Sequence, residues 1–430
     1  MNTILDRTKE PSISLLQDIS FSPIAPIIMP NGIELYCNNQ CDKEVTRLDF
    51  MFLSGKWDQM APLSAIYANT LLKEGTASLS SAEIAEKLDY YGAWIQPSVT
   101  QHNSYLTVYT LNKHFSEVIP VIEEMIKAPA FPEREFEIHK NRQREQYMVE
   151  MNKVQVLALH ASLEQLYGAS HPYGTHATLD TFEKVELNDI KEYYKRAYKS
   201  SNCKILVTGK VTPEILKEIE SRFGASHWKQ SDLTFPEKDS TPHPSGDKVV
   251  FIEKNDTQQC AIRIASPSIN RDHADYNGLR VLNTIYGGYF GSRLMENIRE
   301  EKGYTYGIGS STSANKYGAH MVISTQTANI YRDAVIDEVF HEMDLLRNVK
   351  VSAEELMTVK SYMMGEMARM FDGPFAQADA QISLIANNLS NDYYKKQIDI
   401  ISSVTADELQ ELANKYLNKD LFSQAIAGSK

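Results

Sequence analysis

One helix–turn–strand pattern occurs twice in this chain, and an internal repeat of that size limits the folds open to it. LNDIKEYYKRAYKSSNCKILVTGK, residues 187–210, closes one stretch, and ADELQELANKYLNKDLFSQAIAGSK, residues 406–430, closes the other. At one constant offset Asp189 meets Glu408, Ile190 meets Leu409, Tyr193 meets Leu412, Tyr198 meets Leu417 and Gly209 meets Gly428. Each copy reads as an amphipathic helix, a polar turn and an apolar strand ending at glycine. FMFLSG, ending at Gly55, and AIRIAS, residues 261–266, each precede a helix and form a second correspondence.

Between the copies lies WKQSDLTFPEKDSTPHPSGD, residues 228–247, with three prolines, many polar residues and no periodicity. That composition is a linker's. It divides the chain into residues 1–227 and 248–430, each about 200 residues and large enough for its own core. Strands are expected at Ile33–Cys37, Arg47–Ser54, Ser104–Leu111, Cys203–Gly209, Val249–Glu253, Ala261–Ser266 and Met321–Thr327. Runs of helical periodicity fall between them, among them 61–74, 81–91, 133–151, 155–167, 292–301, 353–369 and 375–388. Ser80 with Glu83 forms a capping box, and Gly92 closes that helix. Grouped strands with intervening helices predict an α+β fold of two homologous halves, each an antiparallel sheet layered with helices.

The 44 Lys and Arg against 56 Asp and Glu leave a formal net charge of −12 over 430 residues. An acidic chain without a basic run lacks the clustered cations that displace counterions from nucleic acid, so no nucleic-acid partner is expected. No window approaches 18 uninterrupted apolar residues, which predicts no membrane span. The first residues lack a basic segment followed by an apolar one, so the chain is expected to be soluble and cytoplasmic. Cys203 and Cys260 lie in apolar strand runs and read as buried thiols. Cys37 and Cys41 have no second Cys or His pair beside them, which argues against zinc there.

The chain carries no GxxxxGK[ST], no strand-linked GxGxxG, no GxSxG and no HExxH. YGGYFGSRL holds Gly287, Gly288 and Gly291 in what reads as a close-packed turn between helices. His171 and His176 flank a PYGT turn, and His160 stands four residues before Glu164. Both arrangements suit packing or helix-surface pairing better than metal binding. On residue pattern alone no catalytic constellation is complete.

One segment changes that reading: APLSAIYANTLLKEGTASLSSAEIAEKLDYYGAWIQPSVTQHNSYLTVYTL, beginning at Ala61. It resembles the pitrilysin/insulinase-type zinc peptidases, close to their mitochondrial processing peptidase branch. Their corresponding helix carries HxxEH shortly before a [KE]GT turn. Counted back from Glu74-Gly75-Thr76, the motif positions are Ile66, Asn69 and Thr70. Positions i, i+3 and i+4 share a helical face, where two imidazoles grip zinc and a carboxylate polarises its water. Ile ligates nothing, an Asn amide takes no proton near neutral pH, and Thr is a poor zinc ligand. Glu145, near the family's third ligand, is a single carboxylate and cannot hold zinc by itself. No metal is expected in this chain.

The resemblance covers nearly the whole sequence. HPYGTHATLDTFEKVELNDIKEYYKRAYKSSNCKILVTGKV looks like the end of the family's first half, and GGYFGSRLMENIREEKGYTYGIGSS is similar to a second-half segment that carries an Arg and a Tyr. The matching residues are Arg299 and Tyr306. The resemblance implies a clamshell in which these two donors bind the substrate backbone and stabilise charge at the scissile carbonyl. Donors placed where an oxyanion forms are worth about 2.7–4 kcal/mol each. It further implies a noncatalytic, substrate-binding subunit of a heterodimeric peptidase. A homologous partner would bring zinc and the general base, this chain would bring Arg299 and Tyr306, and the substrate would be a peptide or unfolded protein. The competing expectation is a structural homologue that retains the fold and needs no peptidase partner.

Overall fold

The computed structural model describes Thr8, residues 19–228 and residues 232–430. The first half holds β1 (Pro26–Ile28), β2 (Glu34–Asn38), β3 (Val45–Phe52), α1 (Ser64–Thr70), α2 (Ser81–Tyr90), β4 (Trp94–Val99) and β5 (Ser104–Leu111). It continues through α3 (Phe115–Lys127), α4 (Glu133–Glu150), α5 (Val154–Tyr167), α6 (Leu179–Lys184), α7 (Leu187–Ala197), β6 (Cys203–Gly209) and α8 (Pro213–Ile219), which runs on as a wider turn over Glu220–Gly224. The second half holds β7 (Val249–Glu253), β8 (Gln259–Ser268), α9 (Tyr276–Asn283) with its π-helical extension Thr284–Gly288, and a π-helical segment Met295–Glu301. There follow β9 (Thr305–Asn315), β10 (Gly318–Ala328), α10 (Arg332–Asn348), α11 (Ala353–Met370), α12 (Pro374–Ala386), α13 (Tyr393–Ser403), α14 (Ala406–Tyr416) and β11 (Ser423–Gly428).

The strand order is β1-β2-β6-β3-β5-β4 in one sheet and β7-β11-β8-β10-β9 in the other. From β2 onward the two orders are the same, so the sequence repeat is a repeat of topology. Each sheet is antiparallel apart from one parallel pair, β2 with β6 and β7 with β11. These pairs bring strands from the start and end of a half together, and the whole intervening chain serves as the crossover. The sheets' outer faces pack on helices. Leu48, Phe50 and Phe52 alternate along β3 into the first core, and Cys260, Ile262 and Ile264 do so along β8 into the second.

The opposite faces are covered by helices exchanged between the halves. α5 lies on the second sheet, where Val154 and Ala158 meet Ala261 and Ala427 and Gln165 Nε2 donates to the Gln424 carbonyl at 3.1 Å. α12 lies on the first sheet, where Ala378 meets Tyr36 and Leu206. There Asn38 Nδ2 donates to the Pro374 carbonyl at 3.0 Å. Asp379 of α12 reaches Arg47 at 2.7 Å beside the fully internal Arg47–Asp49 pair. The chain before β1 also reaches across to the second half. Phe21 packs at a tilt on Phe371 and edge-on against Tyr394, and the Ile24 N–H donates to Gln381 Oε1 at 3.0 Å.

An aromatic and histidine seam closes the contact. Tyr173 Oη accepts from the Tyr317 N–H at 3.2 Å and reaches His102 Nε2 at 2.6 Å. Trp57 packs against both of these rings and Tyr317. Tyr167 on α5 bonds His320 Nδ1 on β10 at 2.9 Å. His160 does not make the expected partnership with Glu164 its packing contact; its ring stacks on His176 at 4.1 Å.

Burial, with Arg263 adding to it, pushes the His320 imidazole down to about 4. An unfolded imidazole titrates near 6.5. The unfolded chain therefore binds this proton first, and the stability from neutral His320 is complete above about pH 6.5 and declines towards pH 4. Unfolding by urea should cost on the order of 2 kcal/mol less at pH 5 than at pH 7 from this group alone. His320→Gln should flatten that slope. An unchanged slope in the variant would remove His320 from the account.

Candidate functional site

The motif helix α1 begins at Leu63, whose backbone is left-handed, and runs into the tight turn at Leu71–Lys73. Its three motif positions are buried or half-buried. Ile66 packs against that core as a half-buried side chain. Asn69 is buried, and its Nδ2 donates to the Tyr105 carbonyl at 3.0 Å and to Tyr198 Oη at 2.9 Å. The amide thus ties α1 to β5 and to the end of α7. Thr70 completes the helix, half-buried.

The carboxylate closest in sequence to the motif is already engaged. Glu74 accepts from Ser81 Oγ at 2.6 Å and bonds His139 Nε2 at 3.0 Å. Those bonds, the His139 one foremost, hold its carboxyl below the ordinary range. Glu74 therefore pins α4 to the turn after α1. Glu145 stands exposed farther along α4. Among the described residues no group of three His, Cys, Asp or Glu side chains could hold a metal ion. The donor set Ile66, Asn69 and Thr70 does not fit zinc, because its one strong hydrogen-bonding group is committed to the core.

Arg299 and Tyr306 are both placed at the free edge of the second sheet. The segment Met295–Glu301 carries Arg299 on its last turn, with the guanidinium 4.9 Å above the Phe290 ring and Nε 3.3 Å from Glu300. Glu300 is the carboxylate it meets. Phe290 is itself largely exposed, so the pair forms a surface platform. Tyr306 lies on the edge strand β9, where the register with β10 shifts between Thr325 and Thr327. That bulge leaves Tyr306 90% exposed. No hydrogen bond links Arg299 to Tyr306.

The glycine turn between α9 and Arg299 packs closely, as its sequence suggests. A Cβ on Gly287 would come within 2.8 Å of the Ser310 backbone nitrogen on β9. Glycine here allows the π-helical end of α9 to sit directly on the edge strand. The four cysteines are free thiols, with Cys203 and Cys260 buried.

Two similar α+β halves that exchange helices form a clamshell, with the α1 positions in the first half and Arg299 and Tyr306 on the edge of the second. Residues 184–363 match the family described as peptidase M16 inactive domain. A Bacillus subtilis protein named uncharacterized zinc protease YmxG is 21% identical over 400 residues, which cover 92% of this chain and 95% of that relative. A Helicobacter pylori protein named non-peptidase homolog YmxG is 23% identical over 315 residues, 70% of this chain and 69% of its own. A crystal structure of a peptidase M16 inactive domain from Pseudomonas fluorescens superposes with a TM-score of 0.82 at 22% identity, covering 96% of this chain and 99% of that one. Over nearly its whole length the chain is similar to these proteins, and the family match itself lies in residues 184–363. No helix among the described residues is long and apolar enough to cross a membrane.

Truncating Asn69 should cost stability, not activity. Asn69→Ala removes two donated hydrogen bonds and leaves the buried Tyr198 hydroxyl without this partner. A loss of about 1–3 kcal/mol is expected in chemical denaturation. A variant as stable as the parent would show that this amide does not hold α1 in place.

Proposed function

We propose that this chain is a noncatalytic, substrate-binding subunit of a heterodimeric zinc peptidase of the processing-peptidase type. The observation that carries the reading is the contrast between the two halves. Ile66 packs against a core and Asn69 spends its donors inside it, whereas Tyr306 remains 90% exposed at a bulged sheet edge with Arg299 nearby in the chain. An exposed tyrosine, and an arginine on an exposed aromatic platform seven residues before it, suit contact with a second molecule.

The partner would be a homologous chain with an intact HxxEH helix, whose zinc supplies Lewis-acid activation of the water that attacks the peptide. Arg299 would donate N–H groups to the substrate backbone. Tyr306 would donate its hydroxyl to the oxygen on which negative charge develops. Both groups are donors without proton-acceptor character at neutral pH, so their contribution is orientation and charge stabilisation. The peptide or unfolded substrate would add as a strand beside a sheet edge in the partner's site. The relative named non-peptidase homolog supports the noncatalytic half of this reading.

Mixing is the direct test. The chain alone should hold no zinc and cleave no peptide, and the mixture with an HxxEH-bearing chain from the same genome should cleave faster than that chain alone. Arg299→Ala and Tyr306→Phe should each leave assembly intact and lower turnover by about 10²-fold, the scale seen for lost oxyanion donors. A mixture no more active than the partner would favour a structural role for the fold.

A further inference from the structure

The two sheets carry opposite charges at one matched place. Matching Gly209 to Gly428 sets Leu206 of β6 against Ala425 of β11, and their antiparallel partners are Asp49 on β3 and Arg263 on β8. The flanking residues enter the outer cores, Leu48 and Phe50 in the first half and Ile262 and Ile264 in the second. Alternation therefore turns Asp49 and Arg263 to the faces between the halves.

Asp49 has close partners. Arg47 Nε lies 2.8 Å from it, Thr107 Oγ1 donates to it at 2.7 Å, and Asp379 of the exchanged helix α12 shares the Arg47 guanidinium. Arg263 has no equivalent of these. Two places before it stands Ala261, and the counterpart of Thr107 is Ser324, which is exposed. The exchanged helix α5 sets Ala158 against Ala261. Its single acid, Glu164, is exposed and makes no ion pair among the described residues.

The result is a half-buried cation without a counter-charge. Arg263 Nε is sealed from solvent with no acceptor, and the Nη groups, equally unbonded among the described residues, reach solvent. Burial alone pushes the guanidinium down from its ordinary value, and the one charge that acts on buried His320 is this same arginine. Lost hydration of a charged group is costly where no partner replaces it. In a chain of net charge −12 the missing carboxylate is not a matter of supply.

The space beside Arg263 is open. Next to it on β10 is Ser324, and beyond that on β9 is Gly309, which has no side chain. Two residues along the same face, Gln326 enters an open groove of about 390 Å³ lined also by Asn152, Gln155, Thr257 and Gln259, with no Asp or Glu in its walls. Arg263 stands two strands in from β9, the strand of Tyr306, which is roughly 10 Å or three residues of extended peptide.

We propose that Arg263 anchors a carboxylate of a bound peptide, so that this chain selects peptides carrying Asp, Glu or a free C-terminus. Its two open Nη groups would donate to the two carboxylate oxygens, a pairing that suits the planar fork of arginine. Ser324 Oγ and the Gln326 amide would add neutral donors. The inference rests on the substrate-binding reading above and adds the chemistry of the peptide.

The test measures binding to the full chain alone, so neither a zinc-bearing partner nor cleavage enters it. Three peptides of equal length, built from Ala, Ser and Gln, carry an uncharged dye. One is amidated and uncharged, one is amidated with a central Glu, and one is uncharged apart from a free C-terminal carboxylate. Fluorescence anisotropy should show a carboxylate peptide binding about tenfold more tightly than the uncharged one, or 1.4 kcal/mol. Which of the two is preferred tells side-chain from C-terminal recognition. Arg263→Met should abolish the preference and leave the melting temperature unchanged or higher, because a cation without a partner is removed. Arg263→Lys, which keeps the charge and loses the fork, should retain part of the preference and carries the comparison if the methionine variant folds poorly. A preference that survives in Arg263→Met, or no saturable binding of any peptide, would overturn the proposal. Equal binding of all three peptides would overturn the carboxylate anchor while leaving the substrate-binding reading intact. That reading fails on a different result, a mixture of the two chains no more active than the zinc-bearing one.

Discussion

Neither half of this protein can cover its own sheet, and most of the structure follows from that constraint. A sheet with both faces apolar or semi-apolar needs a layer on each side. The helices on the outer faces come from the same half, while α5 and α12 each cross to the other. Alanines at 261 and 427 let α5 approach the second sheet closely. On the first sheet the exchange is partly ionic. Arg47 and Asp49 are buried side by side, and Asp379 from the second half reaches the same guanidinium. A buried charge left without its partner is costly, so removing α12 would expose more than apolar area. The cores of the two halves are thereby coupled.

The duplicated plan also shows how equivalent positions diverge. On α1 the side chains that would face a metal serve the core, and Asn69 spends its donors on Tyr105 and Tyr198. On the second sheet the edge strand keeps its donors outward. An edge strand offers unpaired backbone groups and exposed side chains together, which is the usual ground for recognition. The bulge at Tyr306 turns that side chain out of the ladder.

Much of the framework was legible in the sequence. The repeat, the capping box at Ser80 and Glu83, and the strands at the sheet centres all have local causes: periodicity, glycine at a turn, and reciprocal side-chain bonds. The three strands that the pattern does not reveal, β1, β4 and β9, all lie at an edge of their sheets. β4 contains Pro97, and β9 is a run of Gly, Ser and Thr. Edge strands tolerate both, because one side makes no ladder bonds and one face meets solvent. Their sequence therefore lacks the alternation that marks a central strand.

The sequence by itself determined the doubled α+β plan and the chemical incapacity of Ile66, Asn69 and Thr70 as a zinc set, because residue type and helical spacing suffice for both. Only the tertiary structure decided that α5 and α12 are exchanged, that His102, His160 and His320 are pushed down to about 4 by burial in or beside the seam, and that Tyr306 is exposed. Each of these depends on which residues distant in sequence are brought together, and neither periodicity nor composition contains that distance.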